Sequence, residues 1–212
     1  MAAVQLFNSF LAVAAAYLVG SLAFAVLVSR AMGLKDPRTF GSKNPGATNV
    51  LRSGSKPAAI VTLLLDALKG FLPVFAVRMW GEPYGMEEGT IALVGLAAFL
   101  GHLFPVFFRF KGGKGVATFI GVVFGINPWL GVATGATWLI IAFFFRYSSL
   151  ASLVAAVFAP VYYLMGDNIA WNAHANIAMT LFIMAMLLAW RHRENISRLL
   201  KGTESRLGAK KA

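Results

Sequence analysis

Residues 114–145 read Lys-Gly-Val-Ala-Thr-Phe-Ile-Gly-Val-Val-Phe-Gly-Ile-Asn-Pro-Trp-Leu-Gly-Val-Ala-Thr-Gly-Ala-Thr-Trp-Leu-Ile-Ile-Ala-Phe-Phe-Phe, with no charge after the first lysine. Read as one segment, this stretch is a single long membrane crossing; read as two, it is a pair. Asn127-Pro128 decides for the pair, because proline cannot continue a helix and restricts the residue before it. The spacing predicts helices over about 114–126 and 128–145, the first of them short. Merging the two would put Arg146 and the basic carboxy-terminal tail on the side opposite the earlier basic loops.

The rest of the chain has the same character. Of its 212 residues 58% are hydrophobic and 13% charged, with a mean hydropathy of +0.72. That is too apolar for a soluble domain built round one core. Further spans are expected over about 4–29, 57–80, 89–108, 149–165 and 173–190, at roughly 20 residues each. The fold class predicted is therefore an all-α integral membrane bundle of seven transmembrane helices, residues 1–212 forming one polytopic domain. No internal repeat, low-complexity tract or linker interrupts it. The first apolar run has no Lys or Arg before Arg30, so it lacks the basic region of a signal peptide and is expected to be a retained helix.

Charge sets the expected orientation. With seven spans, every basic residue except Lys69 and Arg78 among the 19 falls on one side, and Glu82, Glu87, Glu88 and Asp167 gather on the other. The positive-inside rule then places the amino terminus outside and the carboxy terminus in the cytoplasm. The net charge of +11 lies in short loops beside apolar runs, which suits anionic headgroups and argues against nucleic acid as a partner. The absence of cysteine excludes disulfides, thiolate catalysis and Cys-ligated metal. Asp66 and Lys69, three apart and so on one helix face, are expected to pack a helix interface as a neutral pair. His174, at the outer start of the last helix, is expected to be structural.

Three polar clusters fall on the predicted cytoplasmic face. The first is Gly41-Ser-Lys-Asn-Pro-Gly-Ala-Thr-Asn-Val-Leu-Arg52. Its Asn44-Pro45-Gly46 turn can hold the hydroxyls of Ser42 and Thr48 and the amides of Asn44 and Asn49 in fixed directions, with Arg52 offering a planar fork to phosphate. The second runs from Gly101-His102, through Pro105, to Phe110-Lys-Gly-Gly-Lys-Gly-Val-Ala-Thr118. Glycines 112, 113 and 115 allow backbone N–H groups to converge on an anion at the start of a helix, and Lys111 and Lys114 add charge. Gly115 stands where a Walker A loop has Ser or Thr, so ATP and its magnesium are not implied. Pro105 should kink or end the third helix and bring His102 toward this loop, as a candidate acid, base or phosphate donor. The third cluster is His192-Arg-Glu-Asn-Ile-Ser-Arg-Leu-Leu-Lys-Gly-Thr-Glu204, in which a continuing helix would present His192, Asn195 and Leu199 on one side. Together the clusters could surround two phosphate groups.

These segments resemble the bacterial membrane family of acyl-phosphate-dependent glycerol-3-phosphate acyltransferases. The first matches the family's Gly-Ser-x-Asn-x-Gly-Ala-Thr-Asn-x-x-Arg. The second matches Gly-His-x-x-Pro-Val-Phe-x-x-Phe-Lys-Gly-Gly-Lys-Gly-Val-Ala-Thr, and the third His-x-x-Asn-Ile-x-Arg-Leu-x-x-Gly-x-Glu. The resemblance extends to size, hydropathy and a seven-span plan. It implies a multi-pass protein of the bacterial cytoplasmic (inner) membrane, active site toward the cytoplasm. That protein would transfer a fatty acyl group from acyl phosphate to the 1-hydroxyl of glycerol 3-phosphate among membrane lipids, at the first step of phospholipid synthesis. No cofactor or metal is implied, and a monomer is compatible with it.

The resemblance further implies catalytic roles for Ser42, Arg52, His192 and Asn195. Asn44, Thr48, Asn49, His102, Lys111, Gly112, Gly113, Lys114, Gly115 and Thr118 form the expected phosphate-binding set, and Glu204 supports the structure, for instance by tying the tail to a cytoplasmic basic residue. Direct attack by the acceptor hydroxyl is the expected mechanism, because acyl phosphate is already activated; a covalent route through Ser42 lacks an obvious base. The rival reading is a transporter of a phosphorylated metabolite, although transporters usually place the site near the bilayer midplane between repeats.

Overall fold

Hydrocarbon offers no partner for a backbone N–H or C=O, so an apolar chain is held to helices wherever it meets lipid. The computed structural model of the protein describes residues 1–208; Lys210 and Lys211 of the basic tail lie outside them. Among the described residues the regular elements are α1 (Ala2–Gly20), α2 (Phe24–Ala31), α3 (Ala47–Leu51), α4 (Lys56–Trp80), α5 (Glu88–Leu103), α6 (Val116–Ile126), α7 (Pro128–Phe145), α8 (Ser148–Met165), α9 (Ala175–Arg191) and α10 (Arg193–Leu200), with single 3-10 turns at Glu82–Tyr84 and Val106–Phe108. Large apolar side chains such as Leu63, Leu72, Leu139, Phe143 and Phe144 stand exposed on the outside of the bundle, as a lipid-facing surface requires.

Five helices are long and apolar enough to cross a membrane: α1, α4, α5 with its following turn to Phe108, α7 and α8. The pair α9 and α10 makes a sixth if taken together, although it bends by 62°. Helix α6 has 11 residues, about 16 Å at 1.5 Å per residue, and falls well short of the roughly 30 Å hydrocarbon core. The break between α6 and α7 is where the sequence puts it: the Asn127 side chain accepts from the N–H groups of Trp129 and Leu130 at 2.9 and 3.1 Å, and Pro128 occupies the first helical turn.

The short α6 is placed by close approach to α4. A Cβ on Gly121 would overlap the Ala67 carbonyl, so this face of α6 admits only glycine, in the manner of small-residue contacts between membrane helices. Docked this way, α6 starts at a fixed point, and the glycine loop of residues 111–115 is held immediately before it.

Three departures from the sequence expectation matter for the site. The first apolar run is not one helix over 4–29: it opens at Ser21-Leu22-Ala23. The freed Leu22 carbonyl accepts from Lys69 Nζ at 2.6 Å, and Ser21 Oγ accepts from the Val106 N–H at 3.3 Å. The break is therefore sustained by partners far along the chain. The third helix stops at Leu103 instead of 108, since Pro105 ends it, and the Tyr17 hydroxyl donates to the Phe104 carbonyl at 2.7 Å. The last helix does not continue past 190 as a straight rod; it turns at His192, whose Nδ1 lies 2.8 Å from the Leu188 carbonyl and caps the final turn of α9.

Candidate active site

Two adjacent glycines give the loop before α6 no side-chain restraint of its own, so its shape comes from its neighbours. The Gly113 N–H donates to the His102 carbonyl at 3.1 Å, and a Cβ on Gly113 would overlap the His102 imidazole. On the other side, the Arg191 guanidinium donates from Nη2 to the Gly112 carbonyl at 2.8 Å and from Nε to the Gly113 carbonyl at 3.1 Å. Gly115 takes φ +86°, a left-handed conformation open to glycine, and caps α6. Among the described residues the N–H groups of Lys114 and Gly115 have no hydrogen-bond acceptor. They lie at the positive end of a helix dipole, an arrangement that receives an oxyanion.

The three sequence clusters meet at this loop. From the first, the Pro45 carbonyl lies beside Gly113. From the third, Asn195 Oδ1 accepts from Lys114 Nζ, and Asn195 Nδ2 donates to Glu204 Oε1 at 2.6 Å. The Glu204 carboxylate also accepts from Ser149 Oγ at 2.6 Å and Arg198 Nε at 2.7 Å, so it joins α8, α10 and the tail. Arg52 Nη2 donates to Ser205 Oγ at 3.0 Å and links the first loop to the tail.

These contacts set the charges. Lys114 is pushed down to about 8, chiefly by burial and next by the neighbouring Arg198, with Glu204 and Glu194 opposing and Arg191 adding to the depression. For Glu204, burial alone would raise the carboxyl pKa; donation from Ser149, Asn195 and Arg198 outweighs it and holds the group below its ordinary value, as carboxylate. His192 follows the last residue of α9 and is pushed down to about 4, first by burial. It is neutral, and because a carbonyl can only accept, Nδ1 carries the hydrogen toward Leu188 and leaves the Nε2 lone pair free.

Not every expected residue faces the opening. Asn49 is 1% exposed and is occupied within the first loop, where it donates to the carbonyls of Pro37 and Phe40 at 2.6 and 3.1 Å and accepts from the Ser42 N–H at 3.0 Å. It shapes the loop from inside and offers no amide to phosphate. His102 and Thr118 are buried beneath the glycine loop. Thr118 Oγ1 donates to the Asp66 carbonyl at 2.9 Å, so the His102 Nδ1–H must be the donor across the 3.2 Å to that oxygen. Asp66 itself pairs with Lys69 at 2.8 Å, and both are almost wholly buried. Asn195 is engaged on both its oxygen and its nitrogen and acts on Lys114 instead of presenting an empty amide. Ser42, Thr48, Arg52 and Lys111 are exposed and Asn44 is half-buried; Ser42 Oγ has no side-chain partner among the described residues. The sequence does not single out Arg191, which reads there as one more basic residue at a helix end; only the fold turns it onto the glycines. His174 lies 3.9 Å from Glu88, on helix ends away from this group.

Known proteins are similar to this chain over nearly all its length. The family model described as Glycerol-3-phosphate acyltransferase matches residues 10–202. Proteins named glycerol-3-phosphate acyltransferase from Albidiferax ferrireducens and Bordetella petrii are 72% and 60% identical to this chain. The first alignment covers 92% of this chain and 87% of the relative, the second 98% and 97%. Two crystal structures of PlsY (YgiH), described as an integral membrane glycerol 3-phosphate acyltransferase, superpose with TM-scores of 0.85 and 0.84. They are 40% and 39% identical, over 94% of this chain and 96% and 95% of theirs; one is the glycerol 3-phosphate form and the other the lysophosphatidic acid form. On the match across nearly its whole length, the chain belongs to the glycerol-3-phosphate acyltransferase family.

Proposed function

We propose that the protein transfers a fatty acyl group from acyl phosphate to the 1-hydroxyl of glycerol 3-phosphate, releasing lysophosphatidate and inorganic phosphate. The observation that carries this reading is the convergence of unpaired N–H groups, Lys114, Arg52 and neutral His192 on one end of an apolar bundle. Two anionic headgroups can be held there while an acyl tail stays among the helices. The acceptor and the product agree with the two ligand forms of PlsY. Family membership leaves no support for the transporter alternative.

In the proposed reaction the glycine loop, Lys114 and Thr48 hold the donor phosphate, and Arg52 with His192 holds the acceptor. The acceptor hydroxyl oxygen attacks the acyl carbon, the carbon–oxygen bond to phosphate breaks, and phosphate leaves with the electron pair. The N–H groups of the loop and Lys114 stabilise the charge that develops. An imidazole at about 4 is a weak base at neutral pH, so the hydroxyl proton goes to a phosphate oxygen of the donor, and His192 Nε2 accepts from the hydroxyl to aim it. Asn195 and Glu204 keep Lys114 in place, and Ser42 lines the acceptor side without forming an acyl intermediate.

The proposed setting is a bacterial cytoplasmic membrane, in which α1, α4, α5, α6, α7, α8 and α9 make seven crossings, short α6 included, and both anionic substrates arrive from the cytoplasm. A reporter fused to the carboxy terminus is expected to be active only in the cytoplasm; activity only outside would reverse the orientation.

Purified protein given glycerol 3-phosphate should form lysophosphatidate and phosphate from acyl phosphate, and neither from acyl-CoA nor acyl carrier protein. Product from a thioester donor alone would overturn the donor assignment. Loss of a charge-assisted contact is worth about 1.5–3 kcal/mol, so Arg52→Ala should lower kcat/KM by roughly one to two powers of ten. Because Lys114 loses its proton near 8, its hold on phosphate weakens as pH rises through that value. The KM for acyl phosphate should climb between about pH 7 and 9, and Lys114→Arg should move that rise to higher pH. An unchanged profile in the variant would remove Lys114 from phosphate binding.

A further inference from the structure

A peptide plane is rigid, and in the trans form its N–H points opposite to its C=O. Fixing the direction of one carbonyl therefore fixes the N–H of the next residue. The Gly112–Gly113 plane is held at both ends, with its oxygen on Arg191 Nη2 and its N–H on the His102 carbonyl. The Gly113–Lys114 plane is held at one end only, by Arg191 Nε on its oxygen. Its other end, the Lys114 N–H, is directed away from Arg191 and has no acceptor among the described residues.

Nothing in the loop itself would keep this orientation. Glycine lacks the Cβ that opposes rotation of the flanking peptide planes, and a rotated Gly113–Lys114 plane would present a carbonyl oxygen, in place of an N–H, to an anion. Arg191 is built to prevent that. Its guanidinium spans the two carbonyls with two of its five donors in a fixed fork. It also lies about one ring's reach from two aromatic faces, 6.0 Å from the Phe104 centroid and 5.9 Å from that of Trp190. Phe104 thereby supports Arg191.

We propose that Arg191 is a positioning residue for the reaction: it locks the Gly112 and Gly113 carbonyls away from the site so that the Lys114 N–H faces the donor phosphate. The inference rests on the reading that this loop holds phosphate. It assigns Arg191 no contact with substrate, only control of which face of the loop the substrate meets.

Steady-state kinetics of Arg191→Gln and Arg191→Lys in the full-length purified protein test it, alongside the dissociation constant of inorganic phosphate for each. Arg191→Gln is expected to raise the KM for acyl phosphate about tenfold or more, the scale of one charge-assisted bond. The KM for glycerol 3-phosphate should stay within about twofold, because the acceptor is held elsewhere. Arg191→Lys, with its charge retained and its fork lost, should show a smaller rise. Phosphate binding should weaken in the same order, a readout that does not depend on the donor's identity. An unchanged KM for acyl phosphate and unchanged phosphate binding in Arg191→Gln, or in Arg191→Lys should the first variant not fold, overturns the assignment. An equal rise in both KM values also overturns it, since that is the mark of general damage. A wild-type protein inactive with acyl phosphate contradicts the donor reading alone, and the phosphate constants still decide the role of Arg191.

Discussion

Backbone opened inside an apolar bundle has no water to turn to, and three openings in this chain are closed by side chains from elsewhere in the fold. Lys69 on α4 answers the Leu22 carbonyl where the first run unwinds. Ser21, in that unwound stretch, answers the Val106 N–H after α5 ends, and Arg191 at the end of α9 answers two glycine carbonyls before α6. The last of these has a functional consequence. Carbonyls engaged by Arg191 leave N–H groups on the opposite face, so the same bonds that satisfy the loop also give it the polarity an anion requires.

Charge balance in the site rests first on the Glu204 carboxylate, with Glu194 acting in the same direction. Burial first, then Arg198 and Arg191, depress the Lys114 pKa, and Glu204 opposes the two arginines while accepting from Asn195, Arg198 and Ser149. A site assembled from cations alone would repel itself before substrate arrived. With Glu204 in place the cations are held together, and the remaining positive charge is directed to the open side. The tail carrying Glu204 also carries Ser205 to Arg52 and Leu207 to Arg146, so residues remote in sequence close over one end of the bundle.

Much of this was legible in the sequence, for definite reasons. Asn127-Pro128 marks the α6–α7 boundary because a side-chain cap and a proline act locally. The motifs around Ser42, Lys114 and His192 converge as expected because each lies at a helix end on the same side. What escaped reading depends on partners distant in the chain. No residue near Ser21-Leu22-Ala23 announces a break, because the cation that stabilises it is Lys69. Asn49, His102 and Thr118 belong to the motifs yet face inward, since a motif records which residues recur and not which way they point. Arg191 adjoins a motif without being in it. The bend at His192 defeats a helical-face argument, because the imidazole caps the turn that the argument assumes will continue.

Donor binding depends on one face of one loop. The most direct measurement is an experimental structure of the protein with a non-hydrolysable acyl phosphate analogue bound. Phosphate oxygens are expected within hydrogen-bond distance, about 3 Å, of the Lys114 and Gly115 N–H groups and of Lys114 Nζ, with the Gly112 and Gly113 carbonyls still on Arg191. A phosphate seated away from the loop, or a loop turned so that the Gly113 carbonyl faces the ligand, would contradict it.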